Sequence, residues 1–126
     1  MVRLLLDAHS LLWWATDPRK LSNQAREAIE APTNDVLVSV AGIWELYLKA
    51  SKGKLRLPAD LEARICADGI SILPIRFSHA KRVAELPWNH RDPFDRMIVA
   101  QALAEGLTVV TRDEDIRRYD VPILPA

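Results

Sequence analysis

Short apolar runs alternate with amphipathic stretches along the whole chain, and that alternation leaves few folds open. Residues 2–6 (VRLLL), 36–40 (VLVSV) and 107–111 (LTVVT) are mostly apolar without period-two alternation. That is the pattern of strands buried on both faces, as in parallel sheets. Weaker strands are expected at residues 70–75 and 121–124. Helices are expected between them, over residues 9–15, 23–31, 41–54, 59–67, 79–86 and 93–106, with a short one over 113–119. Ser22 is the expected cap of the second helix, with Pro32 just past its end, and Gly53 is an end signal for the third. Strands alternating with helices predict a three-layer α/β/α sandwich around a central, mostly parallel sheet. The length of 126 residues suits one domain, 1–126.

Composition narrows the class. With 49% hydrophobic and 27% charged residues the chain is globular rather than disordered. Seventeen basic residues balance seventeen acidic ones, so overall charge does not announce a nucleic-acid partner, although a local basic rim is compatible with that balance. The lone Cys66 forms no internal disulfide, which fits a reducing cytoplasm, and it reads as a small apolar residue. Asp7 interrupts the apolar start before a signal-peptide core is complete. No apolar run approaches the ~18 residues of a membrane span. A soluble cytoplasmic protein is expected.

Acidic residues fall where such a sheet would gather them. Asp7 ends the first strand, Asp113 follows the fourth, Glu45 lies on the helix after the second, and Asp92 and Asp95 open the helix at 93–106. Ligands of open α/β sheets collect outside the carboxyl ends of the strands. Carboxylates converging there, with no Cys and little His, suit a hard divalent cation such as Mg²⁺ or Mn²⁺. Each acid also has a plainer reading. Asp7 and Asp113 fit helix caps, and Glu45 fits an i,i+4 pair with Lys49 worth roughly 0.3–0.5 kcal/mol. Asp92 fits an N-cap with Pro93 at the first helical position, which makes Asp92 mainly a cap and Asp95 the ligand. Ala41, Trp44 and Leu48 share the face of Glu45, and a carboxylate among apolar neighbours needs a partner.

Thr111 supplies a hydroxyl that can orient a carboxylate or a water. Arg91, Arg96 and Arg112 flank the acids, and Arg96 and Arg112 are candidate phosphate clamps. Trp13, Trp14, Trp44 and Trp88 are core or interface anchors first and base-stacking platforms second. Lys49, Lys52, Lys54 and Arg56 make a solvated basic face or an RNA-contacting rim. His9, His79 and His90 lack zinc spacing and read as helix-end or surface groups.

The motifs "DAHSLLWW", "WELYLKASKGKL", "HRDPFDRMIVAQALAEGLTVVTRD" and "YDVPILP" together resemble the PIN-domain nucleases, specifically the VapC-like toxins of toxin–antitoxin pairs. The resemblance runs over nearly the whole chain, and the third motif is long and specific. It implies a Mg²⁺- or Mn²⁺-dependent endoribonuclease with an α/β/α sheet. Its acidic positions carry over to Asp7, Glu45, Asp95 and Asp113, with Asp92 in the same motif. It also implies a homodimer, an RNA substrate and a cognate VapB-like antitoxin. One position departs: Ala8 stands where related proteins often have Ser or Thr, so a hydroxyl that would support the site is missing unless Ser10 or Thr111 substitutes. A phosphatase built on an aspartate nucleophile would place a second acid two residues on, and His9 stands there instead. A non-catalytic PIN-like binding module would be expected to have lost acids, and this chain keeps all four.

Overall fold

The computed structural model describes residues 1–126. Strands β1 (Arg3–Leu6), β2 (Asp35–Ser39), β3 (Ser71–Leu73), β4 (Thr108–Thr111) and β5 (Ile123–Pro125) form one sheet in the order β3-β2-β1-β4-β5. Every neighbouring pair is parallel. Leu5 lies beside Leu37 on one side and Val109 on the other. Six helices cover the sheet: α1 (Ala8–Thr16), α2 (Asn23–Glu30), α3 (Val40–Ser51), α4 (Leu61–Ala67), α5 (Phe77–Glu85) and α6 (Pro93–Glu105). None is long and apolar enough to cross a membrane.

Side chains alternate across a strand, so the continuous apolar run of β1 feeds both faces. Leu4 and Leu6 pack with residues of α1, α2, α3 and α4, including Leu11, Ala25, Leu46 and Ile65. Leu5 faces the other layer with Ile98 and Val99 of α6. All three leucines are almost completely buried, each contributing about 1.5–3 kcal/mol on transfer grounds.

Local chemistry sets the ends. Ser22 accepts the Ala25 N–H at 3.0 Å and caps α2 as expected. Gly106, at φ 69°, closes α6 in the left-handed region where a side chain would be strained. Several boundaries differ from the sequence reading. α3 stops at Ser51 because Gly53 has already turned to φ 73°. The strand expected at 70–75 is only Ser71–Leu73, since Pro74 has no N–H for a ladder. The helix expected over 113–119 is a single 3-10 turn, Ile116–Arg118. α5 begins at Phe77 rather than after Ser78, because the Arg76 N–H donates to His79 Nδ1 at 3.0 Å.

Two residue environments are corrected as well. His79 is a helix-end group, as one of its two readings expects, but a completely buried one rather than a surface one, with its Nδ1 also 3.3 Å from Gln101 Nε2. Cys66 is exposed, because Leu61 and Ile65 take the buried face of α4 and the next residue points out.

Candidate active site

Two sets of acids face one another at the carboxyl end of the sheet. In the first, Asp7 follows β1 and is 4% exposed. Its Oδ1 accepts the Ser10 N–H at 2.8 Å and its Oδ2 accepts the Thr111 hydroxyl at 2.5 Å. Capping and support of the site therefore coexist, one oxygen each, with lone pairs left over. Thr111 Oγ1 in turn accepts the Asp113 N–H at 2.9 Å, so one buried hydroxyl connects the two acids. Of the two hydroxyls expected to support the site, that of Thr111 donates to Asp7, whereas that of Ser10 donates to the Val110 carbonyl. Asp113 Oδ1 accepts the Asp115 N–H at 2.7 Å, and the Asp115 carboxylate pairs with Arg118 instead of joining the acids.

The second set is Glu45, Asp92 and Asp95. Each offers a carboxylate oxygen, and these atoms lie within 4.8 Å of one another. Glu45 is 4% exposed; its Oε2 accepts from Lys49 Nζ at 2.7 Å, while its Oε1 is buried with no partner at all. Of the apolar neighbours expected on its face, Ala41 is buried while Trp44 and Leu48 are exposed, and Glu45 sits at the edge of the buried face of α3. Asp92 is the N-cap of α6, its Oδ1 accepting from the N–H groups of Phe94 and Asp95 at 2.9 and 3.0 Å. Capping uses only Oδ1, so Asp92 is both cap and member of the cluster.

The electrostatics tie the two sets together. The Asp95 carboxyl is pushed up to about 8, first by burial and then by the charges of Asp92, Asp113, Glu45 and Asp7. Lys49 is held above its ordinary range, chiefly by its hydrogen bond to Glu45, with the charges of Glu45, Asp92 and Asp95 adding to it. A lysine, an orphaned carboxylate oxygen and a proton retained on Asp95 all signal surplus negative charge. An all-oxygen donor set with an unsatisfied buried acceptor fits a hard divalent cation.

The flanking basic residues divide. Arg96 is 2% exposed and is no phosphate clamp. Its guanidinium donates to the carbonyls of Pro87, Val83 and Leu86 and to the Tyr119 hydroxyl, and it stacks on Trp88 with 4.0 Å to the ring centre. Helical phase explains this: one step beyond Asp95, Arg96 turns toward α5 and away from the acids. Arg112 does border the site. With Asp7, His9, Trp13 and Asp113 it lines a cleft of about 260 Å³, while its Nη2 is anchored on the Lys20 and Ala126 carbonyls. Beside the second set lies an apolar cavity of about 310 Å³, edged by Trp44, Trp88, Arg91 and Phe94. Trp13 and Trp14 are half-buried against the core, whereas Trp44 and Trp88 are exposed. His90, read as a surface or helix-end group, is instead tucked beside Asp95, its Nε2 3.5 Å from Asp95 Oδ2. Its place two residues before Asp92 in "HRDPFDR" was the only signal in the sequence.

A family model described as the PIN domain matches residues 4–122. The chain belongs to the PIN-domain family. This PIN-domain chain is 30% identical over 125 residues to ribonuclease VapC22 of Mycobacterium tuberculosis, covering 97% of this chain and 95% of the relative. Among solved structures, its fold matches VapBC2 from Rickettsia felis bound to a promoter DNA fragment, with TM-score 0.73, 18% identity and 98% of each chain covered. It also matches a toxin–antitoxin complex from Klebsiella pneumoniae, with TM-score 0.61, 22% identity, and 97% and 96% of the two chains covered. The five-stranded parallel sheet between helical layers is thus the α/β/α arrangement of PIN-like proteins.

Proposed function

We propose that this PIN-domain protein is a Mg²⁺- or Mn²⁺-dependent endoribonuclease, residues 1–126 forming one nuclease domain, and the toxin of a toxin–antitoxin pair. The observation that carries the reading is the orphaned Glu45 Oε1 within 4.8 Å of Asp92 and Asp95 oxygens, opposite Asp7 and Asp113. The 30% identity to a protein named as a ribonuclease, along almost the whole chain, supports it. Asp7, Glu45, Asp95 and Asp113 hold the cation directly or through water, and the free oxygen of Asp92 adds to the set. A bound divalent cation supplies charge to the attacked phosphate and lowers the pKa of a water. Thr111 keeps Asp7 oriented, and Lys49 holds Glu45 Oε2, so that Oε1 would be the oxygen offered to the cation. Arg112, exposed at the cleft, contacts an RNA phosphate through the guanidinium nitrogens that its carbonyl anchors leave free. Hydrolysis of the phosphodiester follows attack by water in line with the leaving oxygen.

Similar folds solved as toxin–antitoxin complexes support a VapB-like antitoxin as partner. The exposed apolar groups Trp44, Tyr47 and Leu48 of α3 support a homodimer. A single cysteine supports work in the cytoplasm. The test is to incubate the antitoxin-free protein with total RNA and Mg²⁺ or Mn²⁺, beside an Asp95→Asn control. Metal-dependent cleavage lost in the control is the expected result. A wild type that is folded and binds neither metal would overturn the reading in favour of a non-catalytic binding module.

A further inference from the structure

The proposed chemistry leaves one buried polar group beside the acids unused. His90 Nε2 is buried with no hydrogen-bond partner and stands 3.5 Å from Asp95 Oδ2. On the other side of the ring, Nδ1 lies 2.9 Å from the Tyr119 hydroxyl, which is itself 2.9 Å from Arg96 Nη1. A guanidinium only donates, so the Tyr119 oxygen accepts from Arg96, and its own hydrogen is available to a bare His90 Nδ1. In that arrangement the ring hydrogen is on Nε2, the atom facing Asp95; a hydrogen on Nδ1 would instead be donated to the second lone pair of the Tyr119 oxygen. The far end of the chain is rigid, because Arg96 is also fixed by the carbonyls of Pro87, Val83 and Leu86, and Tyr119 is 4% exposed.

We propose that His90 is a positioning residue: the Arg96–Tyr119–His90 relay presents Nε2–H to Asp95 Oδ2, leaving the other Asp95 oxygen for the cation. This rests on the metal-nuclease reading above. The contact needs to close from 3.5 Å to about 2.9 Å to become a full hydrogen bond, a small side-chain turn. The relay matters because Asp95 is surrounded by like charges on Glu45 and Asp92, which turn an unheld carboxylate away from the cluster. Groups that orient a ligand from behind typically govern ~10–100-fold in metal affinity or activity. The relay also gives Arg96 a task close to the acids without contact with substrate.

The test uses the full-length, antitoxin-free protein and Mn²⁺ alone as the probe. In nitrogen-15 NMR of the metal-free wild type, His90 should show a protonated Nε2 and a bare Nδ1, its signals assigned by their loss in His90→Gln. Mn²⁺ affinity should fall about 10–100-fold in His90→Ala. It should recover to within a few-fold of wild type in His90→Gln, whose amide N–H can reach Asp95, and fall to an intermediate value in Tyr119→Phe, which frees the tautomer. RNA cleavage should lose kcat with KM unchanged. A hydrogen on Nδ1 in the wild type, or wild-type Mn²⁺ affinity in a folded His90→Ala, would overturn the proposal. If His90→Ala does not fold, wild-type affinity in Tyr119→Phe overturns it equally. Failure of the wild type itself to bind Mn²⁺ would sink the nuclease reading and the metal arm with it, while the NMR result would still decide whether the relay exists.

Discussion

The two halves of the acidic site use the same residue types at the same end of the sheet and treat them in opposite ways. In the β1–β4 half the protein satisfies its acids. Asp7 accepts from Ser10 and Thr111, and Asp113 accepts from Asp115. In the α3–α6 half it caps with Asp92 and pairs one Glu45 oxygen with Lys49, but leaves the rest in want. Glu45 Oε1 has no donor, His90 stands 3.5 Å from Asp95, and Asp95 keeps its proton to about pH 8. A buried unsatisfied acceptor costs about 1–3 kcal/mol, and under the proposed function a cation would relieve that cost on the unfinished side. The first half is anchored by the fold and keeps spare lone pairs, while the second keeps a whole carboxylate oxygen without a partner.

The contrast is broken or sharpened most by Asp95→Asn. Cleavage should fall by at least ~100-fold, beyond the usual range for a merely supporting group, while the metal-free protein melts at a higher temperature than wild type at pH 8. Cleavage time courses and thermal melts check both, and equal cleavage would remove Asp95 from the site. Next is pH. To take a cation Asp95 must give up its proton, so Mn²⁺ affinity should fall about tenfold per unit as pH drops below about 8, with one proton released on binding. Titration calorimetry in buffers of different ionisation enthalpy measures that proton. The stability sign follows from the same shift. The folded state binds the Asp95 proton more tightly than the unfolded chain, whose ordinary value is 3.8. Its stabilising contribution is complete below about pH 4 and is lost as pH rises through about 8. Asp95→Asn should flatten that dependence in urea titrations without metal.

On the satisfied side, Asp7→Ala should lower folding stability by about 1–3 kcal/mol, since it removes a cap and strands the buried Thr111 hydroxyl. An unchanged urea midpoint would show that the half is not structural. Arg112→Ala should weaken RNA binding about tenfold at low salt, the size of one phosphate contact, with binding isotherms at two salt concentrations as the check. Cys66→Ser, at an exposed position, should stay within ~0.5 kcal/mol of wild type.

The parts of this molecule that could be read in advance are those whose cause is local. β1, β2 and β4 announce themselves as apolar runs, Ser22 as a cap, and Asp92-Pro93 as the start of α6. The acids could be read because each follows such a signal. What could not be read depends on partners distant in the chain. Arg96 looks like a phosphate ligand from its neighbours in sequence, but the Tyr119 hydroxyl 23 residues on and the carbonyls of Val83, Leu86 and Pro87 engage its guanidinium. His79 is buried because Gln101 lies against it, 22 residues away. Glu45 is buried as expected but for a different reason, since the face it shares with Trp44 and Leu48 is largely open. Cys66 was within reach: Leu61 and Ile65, four apart, define the inward face of α4 and exclude it.

The hydrogen bond between Thr111 and Asp7 joins residues 104 apart in sequence. A ribosome must therefore release nearly all of the chain before this corner of the site can close. The central strand, made first, waits for a neighbour made almost last, and pairings of such long range are slow to form. A growing or truncated chain that ends before β4 carries Asp7, Glu45 and Asp95 and has β2 on one side of β1, but lacks the β4 side that supplies Thr111 and Asp113. Synthesis itself thus sets the order in which the two sides of this corner are made, the α3–α6 side before the β4 side.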